Sequence, residues 1–477
     1  MLRSPPRAAF DRFKYRKSTL SQGVRVVTET HPSSVGVSIG IFVDKGTRDE
    51  RADEAGLAHF VEHMVFKGTK HRSAFEISKD LEEVGADLNA FTSRESTCFV
   101  AHGLAETLDR QVEVLCDLLS APTFDPEDLA KERDVVVQEI SASEDQLEDC
   151  IYDRYLSRAF HGHSLALPIL GTSNSIRGMT RERVLKFFKR QYVVDNMLVA
   201  AAGRVDHDEL CELLEKFLHP ARAPGQRRLP AGTTPVSVEP QAFVQIQKRR
   251  AEQVHLLMGS PSPSFQEPQR FEAMFLNAIL GGGLTSRLYQ EIRENRGLAY
   301  SVYSHLYTFS DAGLCLMYAA TEPKKAPEAF EVALGEMTKI RQEGVQRDEV
   351  EMARTQLRAS TLLSADDTDS RMQSLAANEM IFGRYRPVRE VLKEFERVKI
   401  DGVMALAEKA LMPDRLGVAM LGPIPEKPMR DFVARELGRA ARMNSSSNSR
   451  AKSPRRARVS KAQKKRASIR KSSTGKG

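Results

Sequence analysis

The chain runs to 477 residues, long enough for two or more domains that each bury a core of their own. Its 41% hydrophobic and 28% charged residues mark a globular protein, and no stretch approaches 18 consecutive apolar residues, which excludes a transmembrane helix of ordinary length. The formal charge of +7 invites a nucleic-acid reading, but its location argues against a basic body: residues 443–477 hold 12 Lys and Arg and no acid, leaving −5 on the residues before them.

The start, MLRSPPRAAFDRFKYRKSTLSQG, has basic residues but no apolar run followed by a small-residue cleavage site. The five cysteines are an odd number, widely spread and without a CxxC pair, which favours a reducing compartment over a disulfide scaffold. Cytoplasmic residence is the expectation, with the periplasm or an organellar matrix as alternatives. Residues 1–14 read as a flexible start, and 15–219 as a first domain. Next come a Pro-, Gly- and Arg-rich linker at 220–240, a second domain at 241–438 and a Ser-rich, basic, disordered tail at 443–477.

In chain order, SVGVSIGIFVDKG alternates as a strand should, GLAHFVEHMVF and SAFEISKDLEEVG read as helices, and ADLNAFTSRESTCFVAHG returns to strand. Two long helical patterns follow, LAETLDRQVEVLCDLLSAP and DPEDLAKERDVVVQEI. Beyond the linker the order repeats: QVHLLMGSPSPS, RFEAMFLNAILGG, TSRLYQEIRENRG, LAYSVYSHLYTFSDAGLCLMYAA, APEAFEVALGEMTKIRQEG and QRDEVEMARTQLRASTLL. The fold class is therefore α+β, with two duplicated halves packed against each other. In the register that pairs Asp125 with Gln346, Glu132 meets Ala353 and Glu139 meets Ser360, and nothing in the second half matches His59, Glu62 or His63.

His59 and His63 stand four apart on a helix, so their imidazoles can reach one ion from successive turns. Zinc suits two imidazoles, a carboxylate and an open fourth position. Glu62 is placed to take a proton from a water that the ion has made acidic. Either Glu132 or Glu139, seven apart on one side of a later helix, could complete the set. Glu139 is the better ligand candidate, and Glu132 the carboxylate that orients a histidine. The triple glycine Gly281–Gly283 lacks the context of a phosphate loop.

GLAHFVEHMVFKGT, LNAFTSRE, KERDVVVQEI and LGGGLTSRLYQEIRENRGLAYSV together resemble the pitrilysin/insulinase-type metallopeptidases with the inverted HxxEH motif. Among these the chain is most similar to bacterial relatives of the catalytic subunit of the mitochondrial processing peptidase. The resemblance covers roughly residues 20–437 and implies two α/β-sandwich-like halves facing each other like a clam. It makes His59, His63 and Glu139 the ligands of one zinc ion per chain, Glu62 the general base and Glu132 a supporting acid. Asn89, Ala90 and Phe91 match an edge strand that receives extended substrate; Arg293 resembles a substrate anchor, and Tyr300 a donor to the oxyanion.

The activity so implied is that of a zinc endopeptidase cutting extended peptides or unfolded protein segments, with a preference near basic residues, as a homodimer or beside a motif-lacking homologue. A non-catalytic subunit of a peptidase-like complex, or weak polyanion binding by the tail, are the competing expectations.

Overall fold

The computed structural model describes residues 13–220 and 238–451; residues 1–12, the segment 221–237 of the expected linker and residues 452–477 lie outside the described residues. The first half holds six strands, β1 (Lys14–Thr19), β2 (Arg25–Thr30), β3 (Gly36–Val43), β4 (Asp87–Thr92), β5 (Thr97–Leu104) and β6 (Met197–Gly203). They form one sheet in the order β1-β2-β6-β3-β5-β4. The second half holds β7 (Phe243–Lys248), β8 (Val254–Pro261), β9 (Ala299–Thr308), β10 (Gly313–Thr321) and β11 (Gly417–Gly422), ordered β7-β11-β8-β10-β9. Set β1 aside and the two sheets have the same plan. Each has one parallel pair, β2 with β6 and β7 with β11, and the remaining pairs are antiparallel. The repeat read in the sequence is thus an architectural one.

The first half carries helices α1 (Leu57–Val65), α2 (Ala74–Glu82), α3 (Leu108–Ser120), α4 (Pro126–Asp145), α5 (Leu147–Ala159), α6 (Ser173–Arg177), α7 (Arg181–Gln191) and α8 (His207–Phe217). The second carries α9 (Arg270–Leu280), α10 (Ala326–Glu343), α11 (Arg347–Ser364), α12 (Thr368–Phe382), α13 (Val388–Arg397), α14 (Ile400–Ala410) and α15 (Glu426–Ala451). The register that pairs Asp125 with Gln346 has a physical basis: these residues are the N-caps of α4 and α11. Asp125 accepts the amides of Glu127 and Asp128, and Pro126 follows where its missing N–H costs nothing.

One core fills the space between the inner face of the first sheet and its helices, with Val26, Ile39, Ile41 and Phe99 packed on Phe60, Val61, Met64, Leu115 and Val136. A second core does the same under the other sheet, around Met258, Phe275, Met317 and Phe330. The remaining faces are covered by exchange. Helix α5, from the first half, lays Ile151, Tyr155 and Leu156 on Leu257, Leu316 and Leu421 of the second sheet. Helix α12, from the second half, lays Met372, Leu375 and Ala376 on Val27, Phe42 and Ala200 of the first. Glycines let both helices sit close: a Cβ at Gly40 would lie 2.7 Å from the Met372 sulfur, and one at Gly259 would overlap the Tyr155 hydroxyl. The division at the linker therefore separates the sheets but not their coverings.

Polar clasps reinforce the exchange. Glu29, fully buried on β2, accepts hydrogen bonds from Arg371 at 2.8 and 2.6 Å and from Tyr385 at 2.6 Å, and it meets His31 at 2.8 Å. At the other end, Arg48 grips Asp311 with bonds of 2.9 and 2.6 Å, and Glu95 accepts the amide and hydroxyl of Ser310.

Three sequence expectations need correction. Lys14 already opens β1, so the start assigned to residues 1–14 is one residue too long. The α15 backbone stays helical to Ala451, so residues 443–451 are not the disordered segment expected; the rest of that tail lies outside the described residues. The helix expected over TSRLYQEIRENRG is mostly a wide π turn at Tyr289–Glu294, where Asn295 N–H bonds to the Gln290 carbonyl. Among the described residues no helix is long and apolar enough to cross a membrane, and all five cysteines are free thiols, four of them buried.

Candidate metal centre

Helix α1 begins at Gly56, whose φ of 88° is left-handed, and a buried acid closes its exposed amides. Glu50, 6% exposed, accepts the N–H of Gly56 at 2.9 Å and of Ala58 at 2.7 Å. The helix then buries Phe60, Val61, Met64 and Val65 and turns His59, Glu62 and His63 away from the core. Helix α4 packs against it, burying Leu129, Val136 and Ile140 and presenting Glu132 and Glu139.

The result is a convergent trio. One ligand atom each from His59, His63 and Glu139 lies within 4.8 Å of the others. The two imidazole Nε2 atoms are 3.2 Å apart, and Glu139 Oε2 is 3.6 Å from that of His63. Two nitrogens each about 2.0–2.1 Å from a tetrahedral zinc would stand about 3.3 Å apart, so the trio fits such an ion. Glu139 Oε2 is buried and has no hydrogen-bond partner among the described residues, an arrangement a cation resolves.

The surroundings tune the donors. His63 Nδ1 lies 2.8 Å from Glu132 Oε1, and Lys67 holds the other Glu132 oxygen at 2.7 Å. With Nδ1–H donated to Glu132, the Nε2 lone pair of His63 faces the trio. Burial disfavours a charge on His63, but the Glu132 bond and the nearby Glu139 charge outweigh it and raise its pKa. Burial likewise works against ionised Glu132, yet bonds from His63 and Lys67 hold its pKa low. Burial, helped by His63, pushes His59 down to about 4, so its imidazole is neutral at neutral pH, the form that binds a metal. Glu62 is raised mainly by burial, partly offset by a short hydrogen bond from the Thr92 hydroxyl.

Thr92 ends β4, the open edge of the first sheet. Along this strand Leu88 and Ala90 pack on the core while Asn89 and Phe91 lie on the exposed face. The Asn89 side chain accepts the Ala90 N–H at 2.8 Å. The edge strand and the general-base candidate are therefore bonded neighbours. Arg293 and Tyr300 are paired elsewhere: the Arg293 guanidinium lies 4.3 Å from the Tyr300 ring centre and donates to the Tyr300 carbonyl at 2.8 Å. Tyr300 is 75% exposed on β9, the open edge of the second sheet. Among the described residues no hydrogen bond, ion pair or ring contact joins either to His59, His63 or Glu139.

Residues 25–173 match the family model described as insulinase (peptidase family M16), and residues 178–357 match the one described as peptidase M16 inactive domain. An uncharacterized zinc protease of Mycobacterium leprae is 38% identical over 411 residues, covering 86% of this chain and 92% of the relative. The chain belongs to the peptidase M16 family. Another relative, an uncharacterized zinc protease of Bacillus subtilis, is 32% identical over 87% of this chain and 99% of its own. The M16 fold is matched by the crystal structure of a protease from Helicobacter pylori, with a TM-score of 0.80, 21% identity and coverage of 86% of this chain and 99% of that one. The inactive-domain match falls mainly on the half in which Ala353 and Ser360 replace the two acids.

Glu50, Lys67 and Thr92 are the functional neighbours that sequence reasoning missed. Thr92 sits inside the quoted LNAFTSRE, and only the packing of β4 beside α1 gives it a role. Glu50 carried no usable signal, because its partners are backbone amides.

Proposed function

We propose that this M16 chain is a zinc-dependent endopeptidase. The observation that carries the reading is the convergence of His59, His63 and Glu139 around a carboxylate oxygen left without a hydrogen bond. One zinc ion would be held by these three residues, and when bound it supplies Lewis acidity that polarises a peptide carbonyl and makes water acidic near neutral pH. Glu62 takes a proton from the attacking water and delivers it to the leaving amine nitrogen. Thr92 fixes the Glu62 carboxyl, and burial keeps its basicity above that of an exposed glutamate. Glu132 and Lys67 lock the ring of His63.

Substrate lies along β4, where its backbone would replace the Asn89 side chain on the Ala90 amide. Only a segment free of its own secondary structure can do this, so the substrates are extended peptides or unfolded stretches. The −5 carried by the residues before 443 supports a preference for basic residues near the cut. Tyr300 donates to the oxyanion when the two halves close on substrate, with Arg293 as its anchor.

Metal analysis alongside peptide cleavage tests the reading. Wild type and Glu62→Gln should bind about one zinc per chain, while the variant loses on the order of 10²–10⁴ in kcat. Cleavage by Glu62→Gln at the wild-type rate, or wild-type protein without bound metal, would overturn it.

A further inference from the structure

In the second half, between α11 and α12, lies a cavity of about 260 Å³, remote in sequence from the metal trio, whose lining mixes hydroxyls and arginines with Ala365, Val388 and Val391. Its α11 wall carries Ser360, Thr361 and Ser364, and Ser360 is the register counterpart of Glu139. Ser360 and Ser364 are exposed and Thr361 is half-buried, so these hydroxyls are open to solvent. Ser370 and Ser374 line the α12 side, where Ser370 is already committed to Asp367 at 2.7 Å. No carboxylate lines the cavity, and two arginines do.

The arginines differ in how they are engaged. Arg371 is taken up by Glu29. Arg386 is only 7% exposed, and its one hydrogen bond among the described residues runs from Nε to Glu390 at 3.1 Å. Its guanidinium lies 5.0 Å from the Phe382 ring centre and 5.7 Å from that of Phe271, and its terminal amino groups make no hydrogen bond among the described residues. Glu390 is shared, since Arg384 also binds it at 2.9 and 2.7 Å. Arg270 nearby is pushed down to about 10, mainly by burial and then by Arg386, with Glu394 and Glu390 opposing the shift.

A largely buried guanidinium whose terminal amino groups are open to the cavity, together with hydroxyls on its walls and no acid among its lining residues, is a set of donors that an anion can use in place of water. We propose that this cavity binds a tetrahedral oxyanion, either free phosphate or a phosphate monoester, through Arg386, Ser360, Thr361 and Ser364. Several donors from different directions suit a tetrahedral anion better than a planar carboxylate. Because α12 also covers the first sheet, an anion here would brace the helix that joins the halves.

Titration calorimetry with inorganic phosphate on the full chain tests this, with acetate as the planar comparison. Saturable phosphate binding is expected, at least 10-fold weaker for acetate. Arg386→Gln should weaken phosphate binding at least 10-fold. Should that variant fail to fold, Ser360→Asp decides, because position 360 is an exposed helix site and the new carboxylate repels the anion. Phosphate binding unchanged in Ser360→Asp, no saturable phosphate binding by wild type, or acetate binding as tightly as phosphate would each overturn the assignment. A phosphate monoester that binds at least 10-fold more tightly than free phosphate, and loses that gain in Ser360→Asp, would identify the ester as the ligand; equal affinities would leave free phosphate as the ligand.

Discussion

His63 and Glu132 are joined by a 2.8 Å contact between Nδ1 and Oε1, so the acid on α4 fixes which nitrogen of a histidine on α1 is left free. Glu132→Gln can keep the contact but loses the charge that favours it. Zinc affinity should fall about 10–100-fold, with cleavage restored at saturating zinc. Competition with a chelator of known affinity, run beside a peptide assay, reads both quantities.

Tyr300→Phe should be silent in stability and audible in catalysis. The ring is 75% exposed and its hydroxyl has no hydrogen bond among the described residues, so denaturant midpoints should not move. If the hydroxyl serves the oxyanion, kcat drops by about 10²–10³ with little change in KM. Equal kcat would remove Tyr300 from the reaction.

Gly56→Ala tests the entry to α1. A Cβ there would stand 2.8 Å from the Leu170 carbonyl oxygen, at a φ of 88° that an alanine rarely adopts. A loss of about 1–3 kcal/mol in urea unfolding is expected, with reduced metal retention because the ligand-bearing helix shifts.

Acid should loosen the joint between the halves progressively, through and below the range in which ordinary carboxylates take up protons. Burial alone would raise the pKa of Glu29, but bonds from His31, Arg371 and Tyr385 bring it from 4.5 down to about 2. Its contribution is fully present above pH 4.5 and is lost as pH falls toward 2, on the order of 3 kcal/mol in all. Urea midpoints of metal-free protein should decline through that window. In Glu29→Gln the midpoint should already be low at pH 7, because Arg371 is left buried and unpaired, and this part of the acid decline should disappear.

At the opposite clasp, Asp311 is 2% exposed and held by Arg48. Asp311→Asn should cost about 1–3 kcal/mol, less than breaking an isolated buried pair, because the Arg48 guanidinium keeps Glu95 as a second counter-charge. A double-mutant cycle with Arg48→Met would show the second change costing much less than the first.

The convergence of His59, His63 and Glu139 was legible because it is written locally. His59 and His63 are one helical turn apart, Glu132 and Glu139 two turns apart, and helix periodicity fixes their faces before any tertiary contact forms. The duplication was legible for the same reason, since the N-caps Asp125 and Gln346 start equivalent helices. What stayed hidden depends on pairings of long sequence separation: Thr92 with Glu62 across 30 residues, Glu29 with Arg371 across 342. The exchange of α5 and α12 was invisible too, because an apolar helix face states that it will be covered but not by which sheet. Tyr289–Glu294 was misread since a π turn carries the same apolar spacing, to within one residue, as the α-helix it replaces.

The exchanged helices make the two sheets mutual prerequisites. Cut within residues 221–237, neither fragment owns the lid for its own sheet: the first keeps α5, which belongs on the other, and leaves Val27, Phe42 and Ala200 bare. Either piece alone should be sticky and poorly folded, while the two produced together should find each other and rebuild the whole without a peptide bond between them. A half without counterparts of His59, His63 and Glu139 would then persist in such a chain for a mechanical reason, because among the described residues its helix α12 supplies the layer that keeps the other half in shape.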